Sequence, residues 1–271
     1  MKFDNKTLQK MIGKSGKIEE FFLTDKKGDK VYIRLVAAKQ RSQWIVILPP
    51  GLGATTENSG KNISIPGYIK MGVSALSFDF YGHGKSSGDF YNGTTSKNIM
   101  QLELIVNHVY SRGFRKVILY GSSFPAFAAF VVAAKMPDKI KLLISVNPIF
   151  DIDKYLLKTR GENSIKSWET SGYIYHSGYI GRKRLGYSYY RDIKKYPSYK
   201  TYLKEITIPT LWIASGRDQF ISAEEGKENA HIMRNSKFIK IEGVDHTFSY
   251  REGGKFDISD IVFNFVKENI R

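Results

Sequence analysis

Six short apolar runs recur along the chain, and longer segments with helical spacing separate several of them. The runs occupy residues 44–48, 73–78, 116–120, 141–146, 210–215 and 237–241. A strand forms a continuous apolar run when both of its faces are covered, as in a parallel sheet with helices above and below. This alternation predicts an α/β fold built on a mostly parallel sheet.

Two further patterns complete the predicted fold. Residues 17–38 contain two strand-like segments around the polar turn 25–29, which predicts a hairpin at the start of the fold. Apolar residues recur at spacings of three and four within 95–111 and within 257–270. That spacing is typical of helices that pack one face on a sheet.

The alternation breaks between about Phe150 and Ile206, where no strand run recurs. This stretch carries 10 of the 17 tyrosines and 12 Lys or Arg residues against 6 Asp or Glu residues. We expect an insertion over the carboxyl edge of the sheet, where ligands bind in open α/β folds. A lid is one interpretation, and a surface excursion whose tyrosines pack on the core is the other. The predicted organisation is therefore a core in two parts, 1–149 and 207–271, with a lid or cap at 150–206.

Composition excludes several kinds of chemistry. The 271 residues include no cysteine, so disulfides, thiolate metal sites and a cysteine nucleophile are excluded. No group of His and carboxylate residues has metal-ligand spacing, and we expect neither metal nor cofactor. The net charge of +16 favours anionic substrates or an acidic partner, although a lysine-rich solvated surface explains it equally well.

Location and nucleic-acid binding are also constrained by the sequence. No segment reaches about 18 apolar residues without a charge, so no membrane span is predicted. The first 17 residues lack the apolar run of a secretory signal, which makes a cytoplasmic location the expectation. No compact basic block or RNA-binding motif occurs, so nucleic acid is not an expected partner.

A nucleophile turn is the strongest chemical signal. The segment KVILYGSSFPAFAAFVVAA is a strand that ends at Gly121 and Ser122 and passes through Ser123 directly into an alanine-rich helix. Such a strand, sharp turn and helix expose the serine hydroxyl above the sheet and direct the following backbone N–H groups to the same point. We predict Ser123 as the nucleophile, with Ser122 as its rival one position too early. Pro125 stands where the second small residue is usual, and proline is tolerated in the first turn of a helix.

A serine hydroxyl needs a general base to attack a carbonyl group. In folds that carry such a turn, the chain order is serine, acid and then histidine. His246 follows the apolar run 237–241 at the carboxyl edge of the sheet, where a base is expected. His231 is the other histidine beyond a plausible acid, and it falls within a predicted helix. We therefore predict His246 as the base.

The acid should follow the preceding strand at the same edge. Asp218 lies a few residues after the run 210–215, and we predict that it orients His246. The alternatives are Glu224, Glu225 and Asp245. The first two fall in the next helix, and Asp245 would point beside the histidine rather than behind it.

Acyl transfer also needs N–H donors at the developing oxyanion. The loop after 44–48 has the sequence Pro49-Pro50-Gly51-Leu52-Gly53, in which a backbone N–H can be aimed at the site. We predict the Leu52 and Phe124 N–H groups as the oxyanion-hole donors.

These motifs together resemble the α/β-hydrolase superfamily over residues 17–270. The segment 79–86, DFYGHGKS, is similar to the DxxGHGxS turn of many members, and the segments 87–90 and 242–249 are most similar to the bacterial cinnamoyl or feruloyl esterases. Members usually have His at Pro50 and Gly at Pro125. The resemblance implies a mostly parallel eight-stranded sheet with helices on both faces and an inserted cap, and a structural role for His83.

The motifs predict a serine carboxylesterase that hydrolyses small esters with a short-chain or hydroxycinnamoyl acyl group. The aromatic and basic insertion is expected to stack on an aromatic acyl group or to hold an anionic one. The expected substrate-binding tyrosines are Tyr173, Tyr175, Tyr179, Tyr187, Tyr189 and Tyr190, beside Arg182, Lys183 and Arg184. Two alternatives stay open: an acyl-thioesterase or acyltransferase that acts on an acidic carrier protein, and a hydrolase-fold binding protein without turnover.

Overall fold

Ten strands and ten α-helices form the part of the chain that the computed structural model describes, residues 2–40 and 42–270. The strands are β1 (Gly16–Thr24), β2 (Lys30–Ala38), β3 (Trp44–Leu48), β4 (Ser74–Phe78), β5 (Lys116–Ser123), β6 (Ile140–Pro148), β7 (Tyr173–Gly178), β8 (Gly181–Gly186), β9 (Thr210–Ser215) and β10 (Ser236–Ile241). The helices are α1 (Asn5–Ile12), α2 (Ile65–Lys70), α3 (Thr95–Ser111), α4 (Pro125–Lys135), α5 (Ile152–Arg160), α6 (Glu162–Ser171), α7 (Ser188–Ile193), α8 (Tyr199–Glu205), α9 (Ala223–Ala230) and α10 (Ser259–Asn269). Short 3-10 helices lie at Gly13–Ser15, Gly60–Ser64 and Phe90–Asn92.

Eight strands form one sheet in the order β1-β2-β4-β3-β5-β6-β9-β10. Strand β2 runs antiparallel to β1 and β4, and the remaining neighbours are parallel. Each of the six apolar runs forms a strand of this sheet, and every residue of β3, β4 and β9 is buried. The predicted mostly parallel eight-stranded sheet is confirmed.

Helices cover both faces of the sheet. Helices α3, α4 and α9 contribute to one core layer, where Phe130 stacks on Trp212 at a ring-centroid distance of 5.6 Å. Helices α1, α2 and α10 contribute to the other, where Tyr68 meets Phe263 edge-on at 5.3 Å. Burying one large apolar side chain contributes about 1.5–3 kcal/mol, so these two layers stabilise the sheet from both sides. No helix within residues 2–40 and 42–270 combines the length and the hydrophobicity that crossing a membrane requires.

Strands β7 and β8 lie in the insertion between β6 and β9, where the sequence predicted no strand. They pair in antiparallel register from Tyr173 opposite Gly186 to Gly178 opposite Gly181. The prediction was wrong because this hairpin is largely exposed and has no apolar run. Its strands are instead stabilised by their own pairing and by cross-strand contacts between aromatic and basic side chains, such as Arg182 over the Tyr175 ring at 3.9 Å.

The insertion is attached to the core by a buried carboxylate. Asp192 of α7 accepts hydrogen bonds from the Ser96 amide at 2.7 Å and from the Ser96 hydroxyl at 2.9 Å, at the start of α3. The Tyr196 hydroxyl donates to the same Ser96 oxygen at 2.7 Å. Lys195 pairs with Asp192 at 3.0 Å, but the Lys195 side chain is largely exposed. The buried hydrogen bonds to Ser96, rather than the ion pair, are therefore expected to hold α7 against α3.

Replacing Asp192 by alanine should lower the free energy of unfolding by about 1–3 kcal/mol, because the Ser96 donors lose a buried acceptor. Urea unfolding of the purified protein measures this change. The matched variant Lys195→Ala removes the exposed partner and should cost less than about 1 kcal/mol. Equal losses in the two variants would contradict the assignment.

Candidate active site

Ser123 ends β5 in a left-handed backbone conformation, with φ of 53°. The register between β5 and β6 shifts at this residue, and α4 begins two residues later at Pro125. Gly121 permits this tight turn, because a Cβ atom there would lie 2.9 Å from the Ala129 Cβ and 3.1 Å from the Ala126 Cα. Positive φ is strained for a residue with a side chain, and such strain clusters at functional sites.

His246 lies between Ser123 and Asp218. Its Nδ1 atom is 2.6 Å from Asp218 Oδ2, and its Nε2 atom is 3.0 Å from Ser123 Oγ. A carboxylate can only accept, so Nδ1 carries the proton and donates to Asp218. Nε2 then has a free lone pair that accepts the Ser123 hydroxyl proton. The three predicted residues therefore form one hydrogen-bonded chain.

Asp218 is fixed by the backbone that follows it. Its Oδ1 atom accepts from the Phe220 amide at 2.8 Å and from the Ile221 amide at 3.2 Å. The side chain of Asp218 is 2% exposed and that of His246 is 11% exposed. The Phe220 ring covers the imidazole at a centroid distance of 5.0 Å. The pair is thus largely shielded from water, which strengthens its electrostatic interaction.

Asn147 holds the histidine loop in place, and the sequence analysis missed it. Its Nδ2 atom donates to the His246 carbonyl and to Ser215 Oγ, each at 2.8 Å, and its Oδ1 accepts from the Ser215 amide at 2.7 Å. Asn147 is buried and has a φ of 41°. The signal that could have found it is a polar residue directly after an apolar run, at the same edge of the sheet.

The rejected alternatives lie elsewhere. His231 is the exposed C-cap of α9. The Asp245 carboxylate closes its own loop by accepting from the Thr247 and Ser249 amides at 2.8 Å and 3.0 Å. Glu224 and Glu225 pair with Lys240 and Lys154 on the surface. The structure brings none of these four into the chain of Ser123, His246 and Asp218.

The residues that carry the predicted oxyanion donors, Leu52 and Phe124, line the same small space of about 10 Å³. Among the described residues, neither the Leu52 nor the Phe124 amide donates to an acceptor. Unpaired N–H groups at the start of a helix and in a neighbouring loop can bind an anionic oxygen.

His83 holds the loop 49–53, which carries the predicted donor Leu52, through a hydrogen bond to Gly53. Its Nδ1 atom lies 2.9 Å from the Tyr81 carbonyl, and its Nε2 accepts from the Gly53 amide at 3.1 Å. Burial lowers the pKa of His83 to about 4, so the ring is neutral at pH 7 and Nε2 remains an acceptor. Asp79 acts in the same region by accepting from the Thr56 and Lys85 amides.

A cavity of about 390 Å³ opens at Ser123 and His246. Its apolar wall is formed by Ile63, Val146, Phe248, Phe256, Ile258 and Val262. This volume lies within the range of about 300–1,000 Å³ that is usual for small-molecule sites. The arrangement can hold a small, largely apolar molecule with a reactive carbonyl group at Ser123.

Comparison with known proteins gives the family. A profile described as "Serine aminopeptidase, S33" matches residues 41–201, more than half of the chain. The chain belongs to this α/β-hydrolase family. The matched segment contains Ser123 and ends before Asp218 and His246. No curated protein matches the sequence.

Solved structures share the fold of this S33-family chain. Est1E from Butyrivibrio proteoclasticus, solved with ferulic acid bound, has a TM-score of 0.76 and 21% identity, covering 92% of this chain and 99% of that chain. An esterase from Pyrococcus furiosus has a TM-score of 0.69 and 21% identity, covering 99% of this chain and 95% of that chain. Alpha/beta hydrolase domain-containing protein 10 from mouse has a TM-score of 0.70 and 19% identity, covering 92% and 97%. Identities this low establish the common fold only.

The six predicted substrate-binding tyrosines are dispersed in this S33-family hydrolase. Only Tyr179, at the turn of the β7–β8 hairpin, lines the cavity beside Ser123. Tyr173 and Tyr175 lie on the hairpin and contact Arg184 and Arg182. Tyr187 and Tyr190 pack on Trp168, and Tyr189 packs on Phe124 with a centroid distance of 5.9 Å. Among the six, the structure thus brings Tyr179 alone to the cavity.

The β7–β8 hairpin contacts the loop 49–53, which carries Leu52, through residues that the sequence patterns did not single out. The Ile180 amide donates to the Gly53 carbonyl at 3.1 Å. Gly53 has a φ of 71°, and a Cβ atom there would lie 2.8 Å from His176 Nε2. His176 also packs against Phe90 at 5.7 Å, and burial lowers its pKa. The insertion therefore helps to fix the loop that carries Leu52.

Lys61 also lines the cavity, and the sequence patterns did not predict it. Its Nζ atom donates to the Pro49 carbonyl and lies 5.6 Å from the centroid of the Tyr120 ring. Burial lowers the pKa of Lys61 to about 7 and raises that of Tyr120. Within residues 2–40 and 42–270, no cluster of three or more His, Asp or Glu side chains could hold a metal ion.

The low pKa of His83 makes stability depend on pH. An unfolded chain binds a proton at His83 below about pH 6.5, whereas the folded chain resists it until about pH 4. Stability should therefore fall as the pH drops from 6.5 to 4, and this group should account for about 2–3 kcal/mol of the loss by pH 4.5. Urea unfolding at pH 7 and pH 4.5 compares the wild type with His83→Gln, which cannot titrate. Identical pH dependence in both proteins would contradict the assignment.

Proposed function

We propose that this hydrolase is a serine carboxylesterase. Ser123 Oγ attacks the ester carbonyl while His246 Nε2 accepts its proton, and Asp218 stabilises the resulting imidazolium. The tetrahedral oxyanion binds the Leu52 and Phe124 N–H groups. Its collapse expels the alcohol, which takes the proton from His246. Water, activated by His246, then attacks the acyl-enzyme and releases the acid.

The observation that carries the proposal is the hydrogen-bonded chain from Asp218 through His246 to Ser123. A serine hydroxyl is too weak an acid to attack unaided at neutral pH, so a base within hydrogen-bond distance is the first requirement. The buried Asp218 meets the second requirement, because it fixes the tautomer that leaves Nε2 free to accept. The Leu52 and Phe124 amides would stabilise the oxyanion. Loss of one such donor typically raises the activation barrier by about 2.7–4 kcal/mol.

The cavity supports an ester with a small apolar portion. Its wall of Val146, Phe248, Phe256 and neighbouring aliphatic side chains fits a short-chain or hydroxycinnamoyl acyl group. We assign the insertion at 150–206 as a cap over the proposed site, because Tyr179 lines the cavity and the Ile180 amide donates to the Gly53 carbonyl.

Charge favours an ester over a peptide substrate. An aminopeptidase must hold a positively charged terminal amine, for which a carboxylate in the pocket is the natural partner. Among the described residues that line the cavity, the carboxylate is Asp257, which lies at the exposed rim. Lys61 lies in the wall and would repel the amine. Amino-acid p-nitroanilides should therefore be poor substrates beside p-nitrophenyl esters.

Replacing Ser123 by alanine should lower kcat/KM for p-nitrophenyl butyrate by about a thousandfold or more, because the nucleophile is lost. The neighbouring Ser122 also lines the cavity and provides the matched control. Ser122→Ala should keep activity within about tenfold of the wild type. The assay series extends from p-nitrophenyl acetate to decanoate and includes methyl ferulate.

Two outcomes would contradict this proposal. Retained activity in Ser123→Ala, together with loss of activity in Ser122→Ala, would identify Ser122 as the nucleophile instead. A folded wild-type protein that hydrolyses no ester in the series would argue against a general carboxylesterase.

A second candidate function is hydrolysis or transfer of an acyl group bound to an acidic carrier protein through a thioester. Arg182, Lys183 and Arg184 are exposed on β8, and Tyr179 at the same hairpin's turn lines the cavity. A basic surface beside an active site attracts an acidic carrier and increases its association rate.

Simultaneous replacement of Arg182, Lys183 and Arg184 by alanine distinguishes this candidate. Turnover of a carrier-bound acyl thioester at low salt should fall by about fivefold or more relative to hydrolysis of p-nitrophenyl butyrate by the same variant, which registers any disturbance of the hairpin itself. The control replaces three exposed lysines around the β1–β2 turn, Lys26, Lys27 and Lys30, and removes the same charge. Equal turnover in the two triple variants would exclude the hairpin as the docking surface.

A further inference from the structure

Lys61 is a charged side chain in the cavity that the proposed ester hydrolysis does not use. Among the described residues that line the cavity, it is the one lysine or arginine. The side chain reaches from the 3-10 helix Gly60–Ser64 to the Pro49 carbonyl. The side chain is half-buried, and the surface of the cavity wall that it joins is mostly apolar.

The ammonium group has spare hydrogen-bonding capacity. It has three donors, and the Pro49 carbonyl uses one of them. No carboxylate of the described residues lies within 4.0 Å of its Nζ atom, whereas several other lysines pair with one, such as Lys85 with Glu57. The Tyr120 ring, with its centroid at 5.6 Å, contributes a weak attraction.

A charge beside an apolar wall is unfavourable without a countercharge, and the burial of the Lys61 side chain lowers its pKa accordingly. A ligand carboxylate would provide the missing countercharge and accept the free donors. It would also raise the pKa of Lys61 and keep it charged at neutral pH. The cavity wall is thus complementary to a molecule that is apolar along most of its length and anionic at one end.

We propose that Lys61 is a binding subsite for a free carboxylate on the substrate, so that the preferred esters are half-esters of dicarboxylic acids or esters of hydroxy acids. This proposal rests on the proposed esterase function. It adds a substrate class to it, namely anionic rather than neutral esters.

The test compares matched charged and neutral esters at about pH 6, where Lys61 is protonated. Monomethyl succinate, glutarate, adipate and pimelate are paired with the methyl esters of the monocarboxylic acids of equal carbon number. A further pair, ω-acetoxyhexanoate and hexyl acetate, places the carboxylate on the alcohol half. The wild type should prefer the charged member of at least one pair by about tenfold in kcat/KM.

Four variants separate charge recognition from structure. Lys61→Met keeps the length of the chain and should reduce the charged-to-neutral preference to about twofold or less, mainly through KM of the charged ester. Lys61→Arg should retain the preference because it keeps the charge. Lys70→Met removes an exposed lysine from α2 and should behave as the wild type. Lys61→Gln is a second neutral variant for use if Lys61→Met does not fold.

The result that overturns the proposal is a charged-to-neutral ratio that is the same in the wild type and in the folded Lys61→Met or Lys61→Gln variant. A different result would contradict the esterase function: either the wild type hydrolyses no neutral ester, or Ser123→Ala keeps the wild-type activity. If no ester is hydrolysed, calorimetry measures binding of monomethyl adipate to Ser123→Ala with and without Lys61→Met. A loss of affinity of about fivefold or more would support the subsite, and equal affinity would overturn it.

Discussion

The left-handed turn at Ser123 is the constraint on which the site depends. It directs the hydroxyl toward His246 Nε2, and it leaves the Phe124 amide unpaired at the start of α4. The turn exists only because Gly121 lets the strand approach Ala126 and Ala129 closely. The two apolar layers around the sheet resist relaxation of this strained backbone, because moving β5 or α4 would open a packed core.

Buried polar side chains join the loops at the carboxyl edge of the sheet. Asn147 connects the end of β6 to Ser215 and to the His246 loop, and His83 connects the DFYGHGKS turn to Gly53. Each tie satisfies backbone groups that would otherwise be unpaired away from water. These ties hold Ser123, His246 and Asp218 in one hydrogen-bonded arrangement, which is the kind of support that electrostatic preorganisation requires.

The cavity and the insertion contribute separate kinds of selectivity. The cavity wall is mostly apolar and includes the half-buried Lys61, which we propose as a carboxylate subsite. The β7–β8 hairpin places basic side chains on the surface and Tyr179 at the cavity. A small anionic ester would bind at Lys61 in the cavity, and a large acidic carrier would bind at the basic surface of the β7–β8 hairpin. Burial lowers the pKa of Lys61, and a countercharge on the ligand would offset this effect.

The sequence by itself determined the α/β fold, the turn at Ser123 and the order of Ser123, Asp218 and His246, because these follow from local periodicity and from residues at strand ends. Tertiary structure alone decided which residues support and line the site. Asn147 meets a loop 99 residues away, Lys61 reaches the cavity from the short 3-10 helix Gly60–Ser64, and Tyr179 is the one of the six tyrosines that lines the cavity. The hairpin β7–β8 was missed because its strands are exposed and have no apolar run. Such contacts join segments far apart in the chain, so a local pattern can mark a candidate residue but does not fix its partner.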